Sequence, residues 1–149
     1  MAGTARVGDE RRTVLDADGR AKAYRPLAQR DRTAAVVAGL QAYAADDFFE
    51  AHELMEPAWM GTDDAAERDL IQGLIKLAAA DVHGVRGNPR GVARNLEGAR
   101  DRLRRVPDGD AVAALRFDLP ELIAALDRRL ADLAADHPTD PIPLTWSRR

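Results

Sequence analysis

The chain has 149 residues, no cysteine and a formal net charge of −3. That is the length of one domain with one modest core; the missing thiols exclude disulfides and thiolate metal sites, which fits a reducing cytoplasm. No apolar run approaches the roughly 18 residues that span a bilayer, so no membrane partner is expected, and the negative balance argues against a general nucleic-acid binder.

Charge is unevenly spread. Residues 1–32 hold eight Lys/Arg against five Asp/Glu, net +3, leaving −6 for the rest. The opening "MAGTARVGDERR" lacks the apolar stretch of a secretory signal. "DADGRAKAYRP" reads as loop. Residues 1–32 are therefore expected as an irregular basic arm, a solvated extension lying on its own acidic bundle; contact with RNA or an acidic partner is the alternative. A helical domain over 33–136 and an extended tail over 137–149 complete the expected layout.

From Thr33 the pattern turns helical. Val36, Val37, Leu40, Tyr43 and Ala44 mark a first helix. Asp47, with Glu50 three residues on, caps a second helix that runs to Met60 and stops at Gly61. Asp64 and Glu67 repeat the capping signal for a third, which continues to Arg86 and ends at Gly87. Asn88-Pro89 opens a fourth, with Val92, Leu96, Ala99 and Leu103 on one face. "PDGD" at 107–110 breaks it. Pro120 starts a fifth, carrying Leu122, Ile123, Leu126, Leu130 and Leu133. The tail "HPTDPIPLTWSRR" is proline-rich, and Trp146 is expected to clip onto the bundle. No alternating strand pattern stands out. The fold class is all-α: a compact bundle of about five helices with short connections.

Two helices carry the chemistry. In "FFEAHELMEPAW", at about 100° per residue, His52 falls near the centre of an apolar face built from Phe48, Phe49, Met55, Trp59 and Met60. Glu56 lies inside that face and Glu53 at its edge; Glu50 points away and only caps. On the third helix Gln72, Lys76, Ala79 and His83 form a row opposite the main apolar face. If that helix is central, the row faces the second helix, and His52, Glu56, Gln72, Lys76 and His83 converge. Burying such groups costs several kcal/mol unless they pair with each other or with a ligand. His52, Glu56 and His83 are a usable ligand set for a divalent metal, although the Lys76 ammonium would repel a dication and could pair with Glu56 instead. A hydrogen-bonded network that fixes helix register is the other reading. Asp81, on the apolar face of the third helix, is expected to pair with Arg94 or Arg100. Pro57 removes the backbone donor to the Glu53 carbonyl.

"FFEAHELMEPAW" followed by "DLIQGLIKLAAADVHGVRGNPRGVARNL" resembles the bacterial and archaeal family known as domain of unknown function 309. Its signature runs aromatic-x-x-His-Glu-x-x-Glu-x-x-Trp, then a Gln-Gly-Leu-Ile helix with a late His and a Gly-Asn turn. The resemblance covers about residues 33–105. It implies a small all-helical fold, with His52, Glu53, Glu56, Trp59, Gln72, His83, Gly87 and Asn88 as motif positions. Lys76 stands where glutamine is common, and Pro57 interrupts the motif helix. The family has no established activity; the label of metal-dependent hydrolase attached to it implies a divalent metal on His52, Glu56 and His83, with Glu53 as general base and Gln72 or Lys76 polarising a small-molecule substrate. Against this stands a non-enzymatic helical binding module in which the polar cluster is structural. Oligomeric state and ligand identity stay open in the sequence.

Overall fold

The computed structural model describes residues 13–15, 21–23, 25–107 and 115–148. Among them are five α-helices: α1 (Gln29–Ala44), α2 (Phe48–Met60), α3 (Ala65–Val85), α4 (Pro89–Leu103) and α5 (Leu119–Ala134). The fold is all-α. Two antiparallel pairs of three-residue strands accompany the helices, β1 (Thr13–Leu15) with β2 (Ala21–Ala23) and β3 (Leu115–Phe117) with β4 (Trp146–Arg148). Three residues are too few to display alternation, so no strand stood out in the sequence. The opening dodecapeptide, most of the loop before Arg25 and the "PDGD" break from residue 108 onward lie outside the described residues.

The caps explain the helix limits. Asp47 accepts from the Glu50 N–H at 3.4 Å, Asn88 from Gly91 at 3.1 Å and Asp118 from Glu121 at 3.1 Å, each satisfying a first-turn donor. Asp118 therefore starts α5 one residue ahead of Pro120. Asp64 caps α3 through the Ala66 N–H at 3.0 Å. Glu67 makes no capping box: it is buried and ion-paired with Arg32 of α1. That pair, with an Arg32 bond to the Leu27 carbonyl at 2.6 Å, holds the α1 start at Gln29, four residues before the apolar periodicity begins. Gly87 ends α3 at φ +69°, where the Asn88 N–H bonds to the His83 carbonyl at 2.9 Å, an arrangement that favours glycine.

The helices follow one another in space: α1 packs on α2, α2 on α3, α3 on α4 and α4 on α5. Close approach needs missing side chains. A Cβ on Gly39 would stand 2.3 Å from Met55 Cγ, and one on Gly73 would stand 2.8 Å from Leu103. α3 is the central helix. Every residue from Leu70 to Ile75 is buried, as are Leu77, Ala78, Ala80 and Asp81. No helix among the described residues is long and apolar enough to cross a membrane.

Asp81 is 3% exposed and has to be neutralised. Its partner is neither Arg94 nor Arg100. Arg129 of α5, itself buried, donates from Nη2 to Asp81 Oδ1 at 2.7 Å and from Nε to Thr139 Oγ1 at 3.2 Å. Arg100 is engaged with Asp127 instead, at 3.4 Å. Arg129 sits three residues after Leu126 on the apolar stripe of α5, and that position was the legible signal. Tyr43 of α1 completes the group: its hydroxyl donates to the Ile142 carbonyl at 2.8 Å and lies 3.3 Å from Asp81 Oδ2. The tail is thus strapped over the core, with Ile142 buried and Trp146 half-buried opposite Phe117.

Removing Arg129 would strand a buried carboxylate. Arg129→Met is expected to cost about 3–5 kcal/mol in chemical denaturation, and Tyr43→Phe about 1–2 kcal/mol, through the orphaned Ile142 carbonyl. Burial, and next the Asp81 charge, push the Tyr43 hydroxyl pKa well above its ordinary value of 10.0. The unfolded chain therefore ionises first. The contribution of the protonated phenol is full below about pH 10 and is lost as pH rises past it. Wild type should lose stability more steeply than Tyr43→Phe above that pH.

Candidate functional site

On α2 the buried residues are Phe48, Ala51, Met55, Ala58 and Trp59. At about 100° per residue, the middle of that arc lies roughly 70° from His52. His52 and Glu56 are half-buried at its edge, so the expectation of a central His52 is corrected. The reason is alanine. Ala51 and Ala58 carry little bulk but are buried, and at Ala51 the backbone of α2 lies close to Gly39 of α1. This rotates the buried arc away from His52. Phe49, expected on the inner side, is 58% exposed. His52 Nδ1 lies 3.3 Å from Glu53 Oε1, and both side chains reach solvent.

Two members of the polar row of α3, Lys76 and His83, lie against glycines of α4. A Cβ on Gly98 would lie 2.9 Å from Lys76 Cδ and 3.3 Å from its Nζ. One on Gly91 would lie 2.5 Å from His83 Nδ1. Gly91 and Gly98 are seven residues apart and share a helix face, so α4 offers two bare patches under two large polar side chains. His83 Nδ1 is also 3.2 Å from the Asn88 amide at the α3–α4 turn. The row was expected to face α2; for Lys76 and His83, Gly98 and Gly91 of α4 provide the room.

The two halves of the predicted site therefore have different neighbours. Gln72 and Trp59 are buried, at 2% and 3% exposure, and the Trp59 indole N–H has no hydrogen-bond partner. His52 pairs with Glu53 along α2, and His83 with Asn88. Among the described residues no three His, Asp or Glu side chains come together as a metal-holding group. The set His52, Glu56 and His83 does not fit a divalent metal in this geometry, and no hydrolytic step is derived through one.

One concavity adjoins the motif. Asp46, Asp47, Phe48, Phe49, Val82, Val85 and Arg86 line a shallow space of about 260 Å³ between the start of α2 and the end of α3. Val85 is 79% exposed. Phe49 and Val85 each fit a helical apolar pattern, so periodicity alone does not reveal this rim.

Residues 36–95 match the family model described as Domain of unknown function (DUF309). Over that stretch the chain is similar to this family. No curated protein and no solved structure matches the chain. The DUF309 match takes in most of α1, all of α2 and α3, and the first half of α4. It includes Tyr43 and Asp81 but stops short of Arg129 and the tail.

The packing yields two expectations. Gly91→Ala must displace the His83 ring and should lower stability, about 1–3 kcal/mol of overpacking outweighing about 1 kcal/mol of gained helix propensity. Gly98→Ala meets only the flexible end of Lys76 and should be neutral or stabilising; thermal melts of the two variants separate these outcomes. His52→Ala removes a half-buried ring whose polar contact is with the exposed Glu53 and should change stability by less than about 1 kcal/mol.

Proposed function

We propose that this chain is a helical binding module, cytoplasmic in setting, which engages a basic partner segment with an apolar anchor through the rim between α2 and α3. One observation carries the reading: two large apolar side chains, Phe49 and Val85, are both exposed on the same concavity. Clustered apolar exposure marks an interaction surface, whereas single exposed residues do not.

Charge selects the occupant. Asp46, Asp47, Glu50 and Glu53 are all exposed around the rim, with Arg86 as the basic residue in the lining. No cation pairs with Asp46, Asp47 or Glu50 among the described residues. A second copy would bring like charges together, which disfavours self-association. A Lys/Arg-rich segment with one Leu or Trp would meet complementary potential and an apolar seat. In this reading His83, Gln72 and Trp59 serve the fold. What favours it over the metal-dependent hydrolase suggested by the family resemblance is the separation of His52 from His83 into different local partnerships.

The test uses a Lys-rich amphipathic peptide with a single Trp, titrated into the full ¹⁵N-labelled chain. Saturable shifts are expected at Phe49, Val82 and Val85. A Phe49→Ser/Val85→Ser variant should bind at least about tenfold more weakly, a loss of about 1.4 kcal/mol, with an unchanged melting temperature. Absence of saturable shifts would overturn the reading. So would a stoichiometric metal in the purified protein, together with a rise in melting temperature on adding zinc, manganese or iron.

A further inference from the structure

The tail that follows α5 is a strap with few fastenings. Pro141 and Pro143 have no backbone N–H to give, and each holds the residue before it, Asp140 and Ile142, in an extended conformation. Among the described residues, residues 138–145 take no backbone–backbone hydrogen bond. Side chains of the bundle hold them instead. The Tyr43 hydroxyl donates to the Ile142 carbonyl at 2.8 Å, and Arg129 Nε donates to Thr139 Oγ1 at 3.2 Å. Ile142 is buried, whereas Pro141 and Pro143 on either side of it are exposed. Beyond them the short pairing of β4 with β3 fastens the far end.

The strap does not fill its bed. A space of about 330 Å³ lies on its α1 side, where Leu40, Tyr43 and Ala44 face Ile142, Pro143 and Leu144. A second space, about 260 Å³, lies on its α5 side, where the same three strap residues meet Phe117, Leu122 and Ala125. The bed is therefore a trough wider than its occupant. Its walls are largely apolar, and it carries one hydroxyl aimed at a backbone carbonyl. A segment held by so few bonds opens locally at much lower cost than the helices beneath it.

We propose that this trough is a docking groove for an extended segment of a partner protein, a bulky apolar residue between two prolines, and that the tail closes it in cis. The tail shows what the groove recognises. Prolines preset the extended backbone, so little freedom is lost on seating. The apolar residue between them is buried, and its carbonyl takes the Tyr43 hydroxyl. Proline-rich segments dock in aromatic-lined grooves by the same means. The spaces on both sides of Ile142 favour a larger residue there, such as Phe. The tethered tail competes at an effective concentration on the order of 1 mM, so it acts as an autoinhibitory contact. The proposal does not rest on the α2–α3 rim: the two linings share only Asp46.

The experiment titrates the free peptide HPTDPIPLTWSR, and its Ile142→Phe form, into the full ¹⁵N-labelled chain. Amide signals of Leu40, Tyr43, Leu122 and Ala125 should shift saturably. Those of the chain's own Leu144, Thr145 and Trp146 should move to disordered positions as the peptide takes their seat. The Ile142→Phe peptide should bind several-fold more tightly. A Pro141→Gly/Pro143→Gly chain, which loosens the strap at two exposed positions, should bind either peptide at least about fourfold more tightly than wild type. No saturable shift in either chain, or equal affinity of the two chains, would overturn the proposal. Equal affinity of the two peptides would overturn the choice of a residue bulkier than isoleucine. A concentration-dependent dimer in sedimentation, with the tail exchanged between copies, would give the groove to a second copy and overturn the choice of partner.

Discussion

A carboxylate in the middle of the central helix is the constraint around which the bundle closes. α3 is covered on most sides, so Asp81 has no route to water and must be met by a cation and donors from elsewhere. The cation comes from α5, the phenol from α1, and the remaining contacts from the tail through Thr139 and Ile142. One buried charge thereby ties together elements up to 99 positions apart in the chain. Such a pair adds little net stability over an apolar filling of the same shape. What it supplies here is a single permitted arrangement of α1, α3, α5 and the strap.

The same central position explains the fate of the predicted polar site. A helix packed between neighbours keeps only a half-buried polar side, so Lys76 and His83 each need a particular niche. α4 provides two, at Gly91 and Gly98, under His83 and Lys76. α2 meanwhile meets α1 at Ala51 and Met55 and leaves His52 and Glu53 reaching solvent. The His-Glu motif and the late His both lie within the stretch that matches one family model, yet their immediate neighbours lie on different helices. A motif that reads as one ligand set is divided between a surface dyad and a helix-turn lock.

The proposed function rests on surface chemistry: the acidic rim with Phe49 and Val85 lies near the C-terminal end of α1, between the start of α2 and the end of α3.

Much of the fold was legible because it rests on local chemistry. Helix count, the Asp47, Asn88 and Gly87 signals, and the apolar faces of α4 and α5 depend on residues within a turn or two of each other, and periodicity reports them directly. The candidate site was legible only as residue types. His52, Glu53, Gln72 and His83 were picked out as chemistry-bearing, but which helix each one faces depends on interhelical rotation. That rotation is set by where small residues permit backbones to approach, at Gly39 and Ala51 on one side of the bundle and at Gly73, Gly91 and Gly98 on the other. Apolar periodicity barely weights glycine and alanine, so it placed His52 at the centre of its face. The partner of Asp81 was hidden for a different reason: a buried charge selects its counter-ion by distance in space, and Arg129 is 48 positions away. The sequence by itself determined five amphipathic helices and a buried charge in need of a partner; only the tertiary structure decided which helices meet through their glycines and which arginine answers Asp81, because both are long-range packing events.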